Sequence, residues 1–168
     1  MNIRIISKNI FMLITLVVGA ASGITYAFSD DWNKEVNINP INDEKRIIIS
    51  KESTNTIKLS FPYNQDQHGL LAFRYGYKDH DSVLMMLRRG AFNCPISCTV
   101  YVRADDGKAQ KFTAATPNDF SQQNGLFIDG KKKLMKMIEQ SKKLRIIFDV
   151  YDDGQEYFDF DVTNFPKM

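Results

Sequence analysis

Two histidines, several paired acids and two cysteines are the residues of this chain with the most capacity for chemistry. A nucleophile–base–acid unit needs a histidine close to a Ser, Thr or Cys. His68 stands in Asn64-Gln-Asp-Gln-His-Gly69 and His80 in Lys78-Asp-His-Asp81, and both stretches predict exposed turns. Asp105-Asp106 and Asp152-Asp153 run into Gly107 and Gly154, as hairpin turns do. Asp159 and Asp161 fall on one face of a strand about 7 Å apart, a separation open to a glycosidase pair. Their alternation with Phe158, Phe160 and Val162 predicts an ordinary solvated face instead. The chain has no Gly-x-Ser-x-Gly, no His-Glu-x-x-His, no phosphate-cradling Gly-rich loop and no EF-hand spacing. No catalytic residue, metal site or cofactor is therefore expected.

Cys94 and Cys98 are the only cysteines, in Asn93-Cys-Pro-Ile-Ser-Cys-Thr99. Three intervening residues differ from the two of a redox centre, and zinc would need both histidines as well. The pair predicts a structural disulfide in a hairpin turning at Pro95-Ile96-Ser97. A register symmetric about Ile96 sets Phe92 opposite Val100, Ala91 opposite Tyr101 and Arg89 opposite Arg103. Like charges directly opposed are unfavourable. A bulge, a neutralising acid such as Asp105 or those of the last strand, or an anionic partner would relieve them. Arg74 and Arg88 border the same area, so Arg74, Arg88, Arg89, Tyr101 and Arg103 form the expected partner-binding surface.

Those side chains need a compartment and a scaffold. Arg4 and Lys8 precede the apolar run Ile10–Ala21, too short for a span of about 20 residues, and Thr25-Tyr26-Ala27 suits signal peptidase. Residues 1–27 therefore read as an export signal, placing the chain in the periplasm or outside the cell, with no membrane span after cleavage. The chain has 22 Lys+Arg against 20 Asp+Glu, and the leader contains both surplus cations. A neutral remainder of 141 residues argues against nucleic-acid binding, which needs a basic excess.

Residues 28–52 are polar and Asn-rich and read as a loose arm, with Arg46–Ser50 as an edge strand. Residues 53–168 read as a single β-rich domain. Expected strands are Thr56–Phe61, Gly69–Tyr77, Val83–Phe92, Cys98–Ala104 and Lys111–Ala115, with a hairpin at Asp105-Asp106-Gly107. Thr116–Asn124 reads as a surface loop. A helix from an Asp129 cap to Lys143 follows, with Leu134, Met137, Ile138 and Ser141 on one stripe and lysines outside. Its basic face predicts solvation rather than membrane or lipopolysaccharide contact. Leu144–Tyr151 and Glu156–Val162 close the chain as a hairpin. The fold class is α+β, mainly antiparallel β, a sandwich or partly open barrel with one helix before the final hairpin.

Phe92-Asn-Cys94, Cys98-Thr-Val-Tyr-Val-Arg-Ala-Asp-Asp-Gly107, Phe112-Thr-Ala114, Leu144-Arg-Ile146 and Phe158-Asp-Phe-Asp-Val162 resemble a group of exported proteobacterial proteins. Over Thr56–Phe165 the layout is also similar, more distantly, to the invasion-associated locus B family. Asn164-Phe165 stands where that family carries Gly-Phe. The resemblance implies an envelope location and a β-rich fold, and carries no catalytic residue. The expected function is a non-catalytic binding protein with a protein partner in the envelope. Alternatives are an inhibitor or immunity protein against a cell-wall-degrading enzyme, with Thr116–Asn124 entering its cleft, and a small hydrolase using acids or a histidine. Convergence of His68 or His80 with carboxylates in a concave pocket would favour the hydrolase.

Overall fold

The strand-forming segments alternate apolar and polar residues, and the computed structural model shows that nearly all of the apolar set faces one interior. It describes residues 31–76, 81–117 and 123–166. The leader, His80 and most of the Thr116–Asn124 loop lie outside those residues. The elements in chain order are β1 (Asn33–Ile38), β2 (Lys45–Glu52), β3 (Gly69–Tyr75), β4 (Ser82–Leu87), β5 (Cys98–Ala104), β6 (Gln110–Ala115), β7 (Gly125–Ile128), α1 (Lys131–Glu139), β8 (Lys143–Val150) and β9 (Gly154–Asp161). The nine strands form one antiparallel sheet in the order β1-β2-β3-β4-β7-β6-β5-β8-β9. The architecture is mainly antiparallel β with one helix before a closing hairpin, as the alternation predicts.

The sheet is open but strongly curled. A Cβ built on Gly69 of β3 would collide with the Phe158 ring of β9, so these distant strands touch through the interior. The segment after β2 follows the free edge of β9: Thr54 N–H donates to the Asp159 carbonyl at 2.7 Å, and Asp159 N–H donates to Asn55 Oδ1 at 2.7 Å. An otherwise open edge is thereby covered. Inside lie Phe73, Phe148, Phe158 and Phe160 with Ile49, Leu71, Met85 and Leu144, all essentially solvent-free. Trp32, Phe73 and Phe165 stack edge to face, with ring centroids 4.8–5.9 Å apart, and Trp32 Nε1 donates to the Thr163 carbonyl at 3.1 Å. Both ends of the described chain are pinned together there.

Several expected elements differ. Residues 33–52 are not a loose arm: β1 and β2 form a hairpin, and β2 continues the sheet through β3. Thr56–Phe61 is not a strand. Ile57 and Leu59 are buried, but only an isolated Ile57–Gln67 bridge forms. The four-residue β7 carries too short an alternation to stand out, yet it joins β4 to β6. The helix begins after Gly130, whose φ of 83° is left-handed, and no side chain caps it, so the expected Asp129 cap does not form. It ends at Glu139, burying Leu134, Met137 and Ile138, while Ser141 donates back to the Met137 carbonyl. No helix among the described residues is long and apolar enough to cross a membrane.

Candidate functional site

The disulfide forms between Cys94 and Cys98, with Cα atoms 5.2 Å apart. Its setting is not the expected hairpin. Phe92 bridges Val150 of β8, and β5 pairs with β6 and β8 rather than with β4. The Arg89–Arg103 opposition consequently does not occur. The five surface residues occupy three separate places. Arg74 lies on β3 with its guanidinium 5.8 Å from the Phe127 ring. Arg88 pairs with Glu52, and Arg89 donates to Gln65 from its side chain and to Gln67 from its backbone. Only Tyr101 and Arg103 share a strand face, on β5.

A like-charge opposition exists nevertheless, between Arg103 and Arg145 of β8. Its relief comes from the last strand. Asp159, opposite Arg145 on β9, accepts a fork of two bonds from that guanidinium at 2.6 and 2.8 Å and a third contact from Lys143 Nζ at 2.8 Å. Burial works to raise the Asp159 carboxyl, but bonds and charge from Arg145 and Lys143 outweigh it and hold the group below the usual carboxylate range. Asp159 is only 6% exposed, so the expected solvated face is wrong at this residue. Asp161 accepts from Thr163 N–H and Oγ1–H at 2.9 and 2.6 Å, which lowers its carboxyl. One acid is an ion-pair hub and the other closes a turn; they do not act as a glycosidase pair.

The arrangement that most resembles a site is a groove of about 810 Å³ between the start of β1, the end of β2 and the C-terminal turn. Trp32, Lys51, Glu52, Thr54, His68 and Asp161 line it, together with Asp31. The histidine does meet carboxylates in a concave surface, the condition that favours an enzyme. The bonding pattern points elsewhere. His68 Nδ1 lies 2.8 Å from the Ser53 carbonyl, and a carbonyl can only accept, so this nitrogen carries the proton. The nearby hydroxyls are committed: Ser53 Oγ donates to the Asn55 carbonyl and accepts from Gly69 N–H, and Thr54 Oγ1 donates to the Asp159 carbonyl. Glu52 is held by Arg88 and Asp161 by Thr163. A nucleophile bonded to its base is not assembled among the described residues. No group of three or more His, Cys, Asp or Glu with metal-holding geometry occurs among them either.

This groove has no signature in the sequence, because its walls come from residues near 31, 52, 68 and 161. A second groove, of about 950 Å³, follows α1, with Tyr75 and Met135 among Lys131, Lys132 and Lys136. Lys131 is committed there: its ammonium sits 2.7 Å from Asp81 and 3.6 Å from the Tyr75 ring centroid. That bond lowers the Asp81 carboxyl, and burial raises the Tyr75 phenol. The helix lysines are thus partly structural. No protein-family model, curated protein or solved structure matches the chain.

Proposed function

We propose that the chain is an exported, non-catalytic interaction protein of the cell envelope, and that the groove beside His68 receives a polypeptide segment of a protein partner. The observation that carries this reading is the groove itself: its Glu52 and Asp161 carboxylates and its His68 ring are held by intramolecular bonds before any ligand arrives, and the cationic Lys51 lies beside them over the Trp32 ring. Pre-organised donors and acceptors of mixed sign suit a peptide, which offers both, better than they suit a uniformly charged ligand. The leader and the cysteine pair support export. A photo-crosslinking residue placed at Ser50, which lines the groove, is expected to yield one defined adduct in cells, whereas the same residue at Lys111 yields none. Equal labelling from both positions, or none from either, overturns the groove assignment. Mass spectrometry of the cell-envelope fraction tests export directly: the expected N-terminus is Phe28.

One observation favours a second reading, a small hydrolase: His68 shares a concave surface with Asp31, Glu52 and Asp161. Hydrolysis of cell-wall or peptide substrates by the purified protein, lost in His68→Gln with the fold retained, would establish it over the binding role. Inhibition of a cell-wall-degrading enzyme by the intact protein would instead narrow the partner to that class.

A further inference from the structure

The two edges of the sheet are treated differently. β9 is covered by the segment at Thr54–Asn55, whereas nothing among the described residues pairs with the outer side of β1. All six β1 residues are exposed, including Val36 at 46% and Ile38 at 62%. Asn39 N–H donates to the Glu44 carbonyl at 2.9 Å, which sets the phase of the β1–β2 ladder. Bonds alternate along an antiparallel pair, so Asn33, Glu35 and Asn37 turn their backbone groups toward β2. Lys34, Val36 and Ile38 turn theirs to the open edge.

The same three residues share the core-facing side of the sheet. Lys34 is in register with the fully buried Ile49, and Val36 with Ile47, which is in turn opposite Tyr75. An apolar row therefore runs from Tyr75 through Ile47 to Val36 and stops in solvent. Of the usual edge protections, this strand contains one lysine and neither a proline nor a bulge.

We infer that β1 pairs antiparallel with β1 of a second copy of this chain, with Val36 facing Val36 across a two-fold axis. That register sets Lys34 opposite Ile38 and Glu35 opposite Asn37, so no like charges meet. Each outward residue then finds a partner with both N–H and C=O free. Moving each chain one residue toward its N-terminus opposes Glu35 to Glu35. Moving the other way sets Lys34 against Pro40, which has no N–H to give. The strand is self-complementary in one register, which is the ground for choosing a second copy over an unrelated strand.

Sedimentation of the purified protein across a concentration series tests this. A reversible dimer is expected, weakened at least about tenfold in Val36→Lys and in Val36→Glu separately, because each sets like charges on the axis. Mixing those two variants should restore association, since opposite charges then meet. Val36→Cys should form an intermolecular disulfide on mild oxidation, because such a pair lies within bridging distance. Near-ultraviolet circular dichroism establishes that the variants are folded. A monomeric wild type, including one that associates only with a different protein, overturns the inference. So does a dimer indifferent to both Val36 substitutions.

Discussion

Asp159 shows how one side chain settles the charge on a whole face. It neutralises Arg145 and Lys143, and through Arg145 it relieves the opposition to Arg103. Asp159→Asn should therefore destabilise the protein by about 1–3 kcal/mol, less than a fully buried pair because Arg145 and Lys143 keep some solvent. The pH dependence follows from the direction of the shift. The folded carboxyl binds its proton less tightly than the unfolded one, so its contribution is complete above the ordinary aspartate value near about 4 and is lost as pH falls through the lower folded value. Thermal melts from about pH 6 to about pH 2 should show wild type losing more stability than Asp159→Asn; parallel curves would remove Asp159 from that role. Glu156 shifts in the opposite sense, raised by burial and by Asp153. Its folded form favours the proton, so it costs stability as pH rises through its raised value, and Glu156→Gln should recover a small part of it near neutrality. The closing hairpin was legible, but its register was different: the expected strands Leu144–Tyr151 and Glu156–Val162 set Arg145 opposite Val162, whereas the turn is tighter, pairing Val150 with Gly154 and so Arg145 with Asp159. The groove around His68 was not legible, because four distant segments meet there only after the sheet curls.

At the scale of elements, legibility followed burial. β3, β5, β6, β8 and β9 show apolar residues on alternate positions because one face of each is sealed from water. β1 has no such face: every residue is exposed, and it is a strand only because β2 supplies its bonds. Thr56–Phe61 carries the converse lesson, since alternating Ile57 and Leu59 are buried as a loop anchor without a ladder. The cysteine ring was legible as a disulfide, but pairing to β8 through Phe92 replaced the expected hairpin. Closing so short a loop restricts the unfolded chain only modestly. The double substitution Cys94→Ser/Cys98→Ser should cost about 2 kcal/mol, read from chemical denaturation, and native wild type should show no titratable thiol. A comparable cost is expected at Gly69, where an added methyl meets the Phe158 ring across the interior. Gly69→Ala should destabilise by about 1–3 kcal/mol, and Gly69→Ala with Phe158→Leu should cost less than the two separate changes combined.

For the molecule as a whole, curling a nine-stranded sheet around one core lets strands far apart in the chain share a single interior. β9 supplies Phe158 and Phe160 to that interior, which links the last described strand to the first ones. Trp32 sits at that junction, edge-on to Phe165 at 4.8 Å and bonded to the Thr163 carbonyl. Truncation after Val162 removes both partners and should lower the melting temperature while leaving β3 to β8 able to pair. The sequence contains only one tryptophan. The tryptophan fluorescence of the protein thus has a single source, placed where the two ends of the described chain meet: a shift of its emission to longer wavelength would report their parting, separately from loss of the sheet seen by circular dichroism.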